Sequence, residues 1–134
     1  MARTTIDQLL SDARRRLTRL DARAAHAAMR AGATLIDIRS ESQIARDGSV
    51  PGALIIARNS LEWCLDPVSR ARHPHAPDLG DHVIVMCNEG YQSSLAAATL
   101  QQLGFRRATD VDGGFQAWRA ASLPSRPSAA PTDR

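Results

Sequence analysis

Cys87 closes a short apolar run, His82-Val83-Ile84-Val85-Met86, and opens the segment Cys87-Asn88-Glu89-Gly90-Tyr91-Gln92-Ser93. A helical pattern starts at once behind it. A thiol in that position meets several effects together. A short loop containing Gly90 lets successive backbone N–H groups turn inward as an anion-binding nest. The first turn of the next helix adds unpaired donors and a partial positive charge. These groups favour the thiolate over the thiol and make a nucleophile that needs no neighbouring histidine. The same cradle would hold an oxyanion, or a second sulfur carried on Cys87. A cysteine at a strand end also has a plainer reading, as a small buried core residue.

The elements that must position this loop follow from periodicity. Apolar residues at three- and four-residue steps predict an amphipathic helix from Thr4 to Leu20, capped by Thr4 or Thr5, and a second from Ala22 to Ala31, capped by Asp21. Short apolar runs predict strands at 34–38, 53–57 and 82–86, and a brief strand is expected at 109–111. Helices are expected over 40–46, 59–65, 93–103 and 115–121, and a Pro-rich surface loop over 67–81. Alternating helices and wholly apolar strands imply an α/β fold with a parallel sheet covered on both faces. Such sheets place their chemistry at the carboxyl ends of the strands. The residues after each strand, Asp37 to Arg39, Arg58-Asn59, Cys87 to Gln92 and Asp112 to Gly114, are therefore expected on one rim.

Four segments in this order resemble the single-domain rhodanese family. They are Leu35-Ile36-Asp37-Ile38-Arg39, the turn Gly48-Ser49-Val50-Pro51-Gly52-Ala53, the strand and loop Val83 to Ser94, and Asp112-Gly113-Gly114-Phe115-Gln116-Ala117-Trp118 with Leu123-Pro124. The resemblance implies a three-layer α/β/α sandwich with a mostly parallel five-stranded sheet, here with an extra N-terminal helix. It divides the chain into that helix (1–20), a rhodanese-like domain (21–124) and a disordered tail (125–134). It also implies a sulfurtransferase. Cys87 would take a sulfane sulfur from thiosulfate or a persulfide donor, hold it as a persulfide, and pass it to a thiol, to cyanide or to a protein acceptor. Asn88, Glu89, Gly90, Tyr91, Gln92 and Ser93 would form the anion-binding loop, with Asp37 and Arg39 in support, and Arg58 joins them on its strand-end position alone. No cofactor and no metal is implied.

Departures from the family pattern bear on the substrate. The family loop commonly reads Cys-x-x-Gly-x-Arg, and Gln92 stands at the Arg position. Gln offers a neutral amide in place of a charged fork, and Glu89 adds a negative charge. Both changes oppose a doubly charged donor such as thiosulfate and favour a less charged persulfide, unless Arg39 and Arg58 compensate. Ser49 replaces the usual His of the turn. Asp37 and Arg39 also have a structural reading, as a tie between loops. A phosphatase or arsenate reductase would need a Cys-x5-Arg spacing, and that position is Ser93. A weakly catalytic binding or sulfur-carrier module is the remaining alternative.

The other candidates carry less. Cys64 could resolve a persulfide on Cys87 if its segment folded over the rim, or be a half-buried bystander. His73 and His75 lack a third metal ligand and read as loop. Trp63 could wall the pocket, Trp118 reads as core, and Arg14-Arg15-Arg16 reads as a solvated helix face. Seventeen basic residues against 14 acidic ones leave a net charge of only +3. All seventeen are Arg, and they are scattered, so no nucleic-acid surface is expected. No apolar run could span a membrane and no signal-peptide core is visible. Two cysteines are too few for a disulfide-stapled secreted domain. The expectation is a cytoplasmic monomer or homodimer.

Overall fold

The computed structural model describes residues 2–127. Four strands, β1 (Thr34–Asp37), β2 (Leu54–Ile55), β3 (Val83–Met86) and β4 (Thr109–Asp110), form one sheet in the order β2-β1-β3-β4. Every pairing is parallel, with Ile36 opposite Leu54 and Val85, and Val85 opposite Asp110. The strands are apolar on both faces because both faces are covered. Val83, Val85 and Ile36 point to one layer, and Ile84, Met86 and Leu35 to the other.

On the first face lie α4 (Leu61–Leu65) and α5 (Gln92–Gln102), with α1 (Ile6–Arg15) packed on α5. Leu61, Leu65, Leu100 and Phe105 fill that layer. On the second lie α2 (Ala22–Arg30) and α6 (Gly114–Ala120), with Ala25, Phe115 and Trp118 buried. The short α3 (Glu41–Asp47) begins at a capping box in which the Ser40 hydroxyl accepts from the Gln43 N–H and the Gln43 side chain accepts from the Ser40 N–H. The result is the expected three-layer α/β fold.

Three expectations need correction. The sheet has four strands among the described residues. Beyond β4, Leu20 adds only a single parallel bridge to Val111. The first helix stops at Arg15, since the chain must straighten to let the Leu20 N–H donate to the Asp110 carbonyl (3.1 Å) and the Leu20 carbonyl accept from Asp112 (2.8 Å). Ile6 and Leu9, two of the apolar residues that recur at helical spacing along this segment, are 63% and 49% exposed. At the start of the segment expected as a tail, Arg126 exchanges two backbone hydrogen bonds with Ser49 at 2.8 and 2.9 Å. Residues 128–134 of that segment lie outside the described residues.

Candidate active site

Cys87 follows β3 directly, and its side chain is 7% exposed. Its Sγ accepts the N–H of Gly90 at 3.2 Å and that of Ser93, in the first turn of α5, at 3.3 Å. The nest expected from the loop and the helix start is thus formed around the sulfur. Gly90 has φ +90°, and a Cβ there would lie 2.7 Å from the Gly113 nitrogen, so the loop needs glycine at this point. From behind, α6 donates to the same loop. The Phe115 N–H bonds the Cys87 carbonyl at 2.8 Å, and the Gln116 N–H bonds the Asn88 carbonyl at 3.1 Å. The Gln116 amide also reaches the Asn88 side chain at 3.0 Å.

Cys87 lies in the wall of a cavity of about 490 Å³. Arg39, Arg58, Asn59, Asn88, Glu89, Tyr91 and Gln92 also line it, so three of the four expected strand-end segments converge. Asp112 to Gly114 does not line the cavity and instead backs the loop. Ser93 is buried, and its hydroxyl turns away to donate to Asp110 at 2.7 Å.

Asp37 and Arg39 form a fully buried ion pair at 2.7 Å. The Arg39 guanidinium also donates to the Gly48 carbonyl at 2.8 Å and stacks 3.8 Å from the centre of the Phe115 ring. It therefore joins β1, the turn after α3, and α6, and its charge is matched by Asp37. Arg58 is matched likewise by Glu62 at 2.9 and 3.0 Å. Glu89 forms no ion pair among the described residues. The cavity thus carries two compensated cations and one uncompensated carboxylate.

Several side chains that support the loop were not expected from sequence. The buried Asp110 accepts hydrogen bonds from Ser93, Ser94 (2.8 Å) and the guanidinium of Arg19 (2.9 and 3.1 Å). Burial works against the Arg19 charge, but hydrogen bonding to Asp110 and the charges of Asp110, Asp112 and Cys87 together raise its pKa above the usual value. Arg14, expected in solvent, is half-buried against Gly90 and Ser94. Arg15 and Arg16 are exposed as expected. A carboxylate inside the short expected strand 109–111 was the available signal for Asp110. Nothing in the run Arg14 to Arg16 distinguishes which member turns inward.

Both cysteines are free thiols, and Cys64 packs half-buried against the core layer that contains Cys87. Trp63 is 62% exposed and does not line the cavity. Trp118 is buried, edge-on to His26, with its indole N–H on the Pro124 carbonyl at 2.9 Å. The His73 ring accepts the backbone N–H of His75 at 2.9 Å. No group of three metal-ligating side chains occurs among the described residues.

A parallel α/β sandwich with a cysteine cradled by backbone N–H groups at its carboxyl rim defines a class of cysteine-loop protein. Residues 21–121 match the Rhodanese-like domain family. Among curated relatives, a thiosulfate sulfurtransferase GlpE of Stutzerimonas stutzeri (strain A1501) is 37% identical over 95 residues, 71% of this chain and 78% of that one. Among solved structures, a protein of unknown function from Rhodopseudomonas palustris CGA009, described as a possible tyrosine phosphatase, has a TM-score of 0.84 at 32% identity. That match covers 94% of this chain and 99% of the other. The polysulfide-sulfur transferase homodimer from Wolinella succinogenes shares the fold, with a TM-score of 0.73 at 22% identity over 93% of this chain and 90% of that one. The chain belongs to the rhodanese-like domain family. Its enzyme class is sulfurtransferase.

Proposed function

We propose that the protein moves a sulfane sulfur from thiosulfate or a persulfide donor to a thiol or cyanide, carrying it as a persulfide on Cys87. The observation that carries this reading is the Cys87 Sγ in a cavity wall, held by the N–H groups of Gly90 and Ser93. In the first half-reaction the Cys87 thiolate attacks the outer sulfur of the donor. A sulfur–sulfur bond forms to Cys87, and the donor's bond to that sulfur breaks, releasing sulfite from thiosulfate or a thiolate from a persulfide. In the second, an acceptor thiolate or cyanide attacks the outer sulfur, and Cys87 leaves as thiolate. The cradle's backbone donors stabilise the negative sulfur in both states.

The lining supports a donor of low charge. Arg39 and Arg58 are already paired, Gln92 supplies a neutral amide, and Glu89 repels a dianion. A small-molecule persulfide suits that lining better than thiosulfate does, although thiosulfate is what the curated relative's name specifies. A protein acceptor could use the same exposed mouth, and a free nucleophilic thiol suits a reducing cytoplasm.

The phosphatase description of the Rhodopseudomonas palustris protein raises a second reading. Ser93 argues against it, because the sixth position after the cysteine would need a cation for a phosphoryl dianion. Here that side chain is bonded to a buried carboxylate. The deciding experiment is intact mass after incubating the reduced protein with thiosulfate, and separately with glutathione persulfide, beside Cys87→Ser. Gain of one sulfur atom, removed by cyanide and absent from the variant, is the expected result. Folded protein with a free Cys87 that gains none from either donor overturns the reading.

A further inference from the structure

The family match starts at residue 21, yet two side chains ahead of it reach the cysteine loop. The carbonyl of Gly90 accepts Nη2 of Arg14 at 2.9 Å, Nη2 of Arg19 at 3.0 Å and the Ser94 hydroxyl at 3.4 Å. Arg14 spends its Nε on Ser94 at 3.1 Å, and its guanidinium carbon lies 5.6 Å from the centre of the Tyr91 ring. Arg14 forms no ion pair among the described residues. Its charge is thus applied whole to the back of the loop. Arg19 divides its charge between that carbonyl, Asp110 and Asp112.

We propose that Arg14 is a positioning residue for Cys87, and that the N-terminal segment completes the active site from behind. The Gly90–Tyr91 peptide is planar and trans. Fixing its carbonyl on two guanidinium groups therefore holds the peptide plane on the C-terminal side of Gly90. The same glycine presents its own N–H to the sulfur at 3.2 Å. At φ +90° and without a Cβ, Gly90 has no side-chain packing of its own to hold this orientation. Charged donors on a carbonyl bind about twice as strongly as neutral ones, and they polarise the loop peptides so that negative charge on the sulfur is favoured. An arginine that served only to dock α1 would be expected to meet a carboxylate. Arg14 meets a loop carbonyl three residues from the nucleophile.

This inference rests on the reading of Cys87 as the sulfur carrier, so its test uses a reaction independent of sulfur transfer. Alkylation of Cys87 by iodoacetamide, followed by peptide mass across a pH series, is compared in wild type, Arg14→Gln, Arg14→Lys and Arg15→Gln. Arg15 is the control, since it sits next along the helix, is exposed, and pairs with Asp12. We expect Arg14→Gln to slow alkylation at neutral pH on the order of tenfold and to move the pH–rate profile to higher pH. Arg14→Lys, which keeps the charge and loses the fork, falls between it and wild type. Arg15→Gln matches wild type. A wild-type profile in folded Arg14→Gln overturns the proposal. So does an equal displacement by Arg15→Gln, which would assign the effect to net charge. Should Arg14→Gln not fold, Arg14→Lys decides, and a wild-type profile there overturns the proposal. Wild-type protein that shows the expected alkylation series yet accepts no sulfur counts against the sulfur-carrier reading alone.

Discussion

At the scale of single residues, the loop is governed by charges that are matched or left over. Glu89 is the unmatched one at the cavity, so Glu89→Gln removes a repulsion and disturbs no ion pair. We expect kcat/KM for thiosulfate to rise about threefold to tenfold while that for a singly charged persulfide changes less. Equal effects on both donors, measured across ionic strength, would remove Glu89 from donor selection. Asp110 shows the opposite case, a carboxylate matched by Arg19 and two serine hydroxyls in a site without solvent. Asp110→Asn leaves the guanidinium only the exposed Asp112, at 3.3 Å, as counter-charge, and breaking a largely buried pair this way costs about 3 kcal/mol. A thermal midpoint roughly 10 °C lower, with slower loading of Cys87, is the expected result. An unchanged midpoint would mean that Asp112 alone can satisfy Arg19. The cysteine, its loop and the Asp37–Arg39 tie were legible in the sequence, because each belongs to a contiguous motif whose chemistry is local. Asp110, Arg14 and Arg19 were not, because the two arginines reach Gly90 and Asp110 across more than seventy positions of the chain.

At the scale of elements, the site depends on how closely α6 approaches the cysteine loop. Gly114, the first residue of α6, has φ +59°, and a Cβ there would collide with the Cys87 carbonyl oxygen and lie 2.7 Å from the Asn88 carbonyl carbon. Gly114→Ala must push α6 away from the loop and break the Phe115 and Gln116 hydrogen bonds that steady it. The expected cost is about 2–4 kcal/mol, together with loss of sulfur loading. Gly80→Ala is the matching control, because a Cβ there meets nothing within 4 Å. If both variants unfold at the wild-type temperature, the close approach of α6 is not needed. The helix and strand order was readable because periodicity reports burial directly. Element ends were less so. The pattern from Thr4 to Leu20 stays helical on paper through Leu17 and Leu20, while the chain gives up its last turn to bridge β4. That bridge is a tertiary gain which local periodicity cannot register.

At the scale of the whole molecule, the two ends of the sheet do different work. Cys87 sits at the carboxyl end of β3, while His82 precedes its amino end and its carbonyl accepts the Thr34 N–H at 2.9 Å. Burial, and to a lesser degree the charge of Arg107, push the His82 pKa below the ordinary value. The folded protein therefore resists protonation there, whereas the unfolded chain takes up a proton near pH 6.5. Where the unfolded state binds more protons, stability rises with pH. The stability tied to neutral His82 is thus fully present above about pH 6.5 and is lost as pH falls towards its lowered folded value. Asp47 is shifted in the same direction, by hydrogen bonding to Arg46, but its loss belongs to a more acid range. Between pH 7 and pH 5 the thermal midpoint should fall in wild type, and fall less in His82→Gln. Identical slopes for the two proteins would show that His82 does not carry the acid limb. Because His82 stands at the opposite end of β3 from Cys87, the substitution should change this slope without altering how fast Cys87 is alkylated at neutral pH. A change in that rate would mean that the two ends of the sheet are coupled.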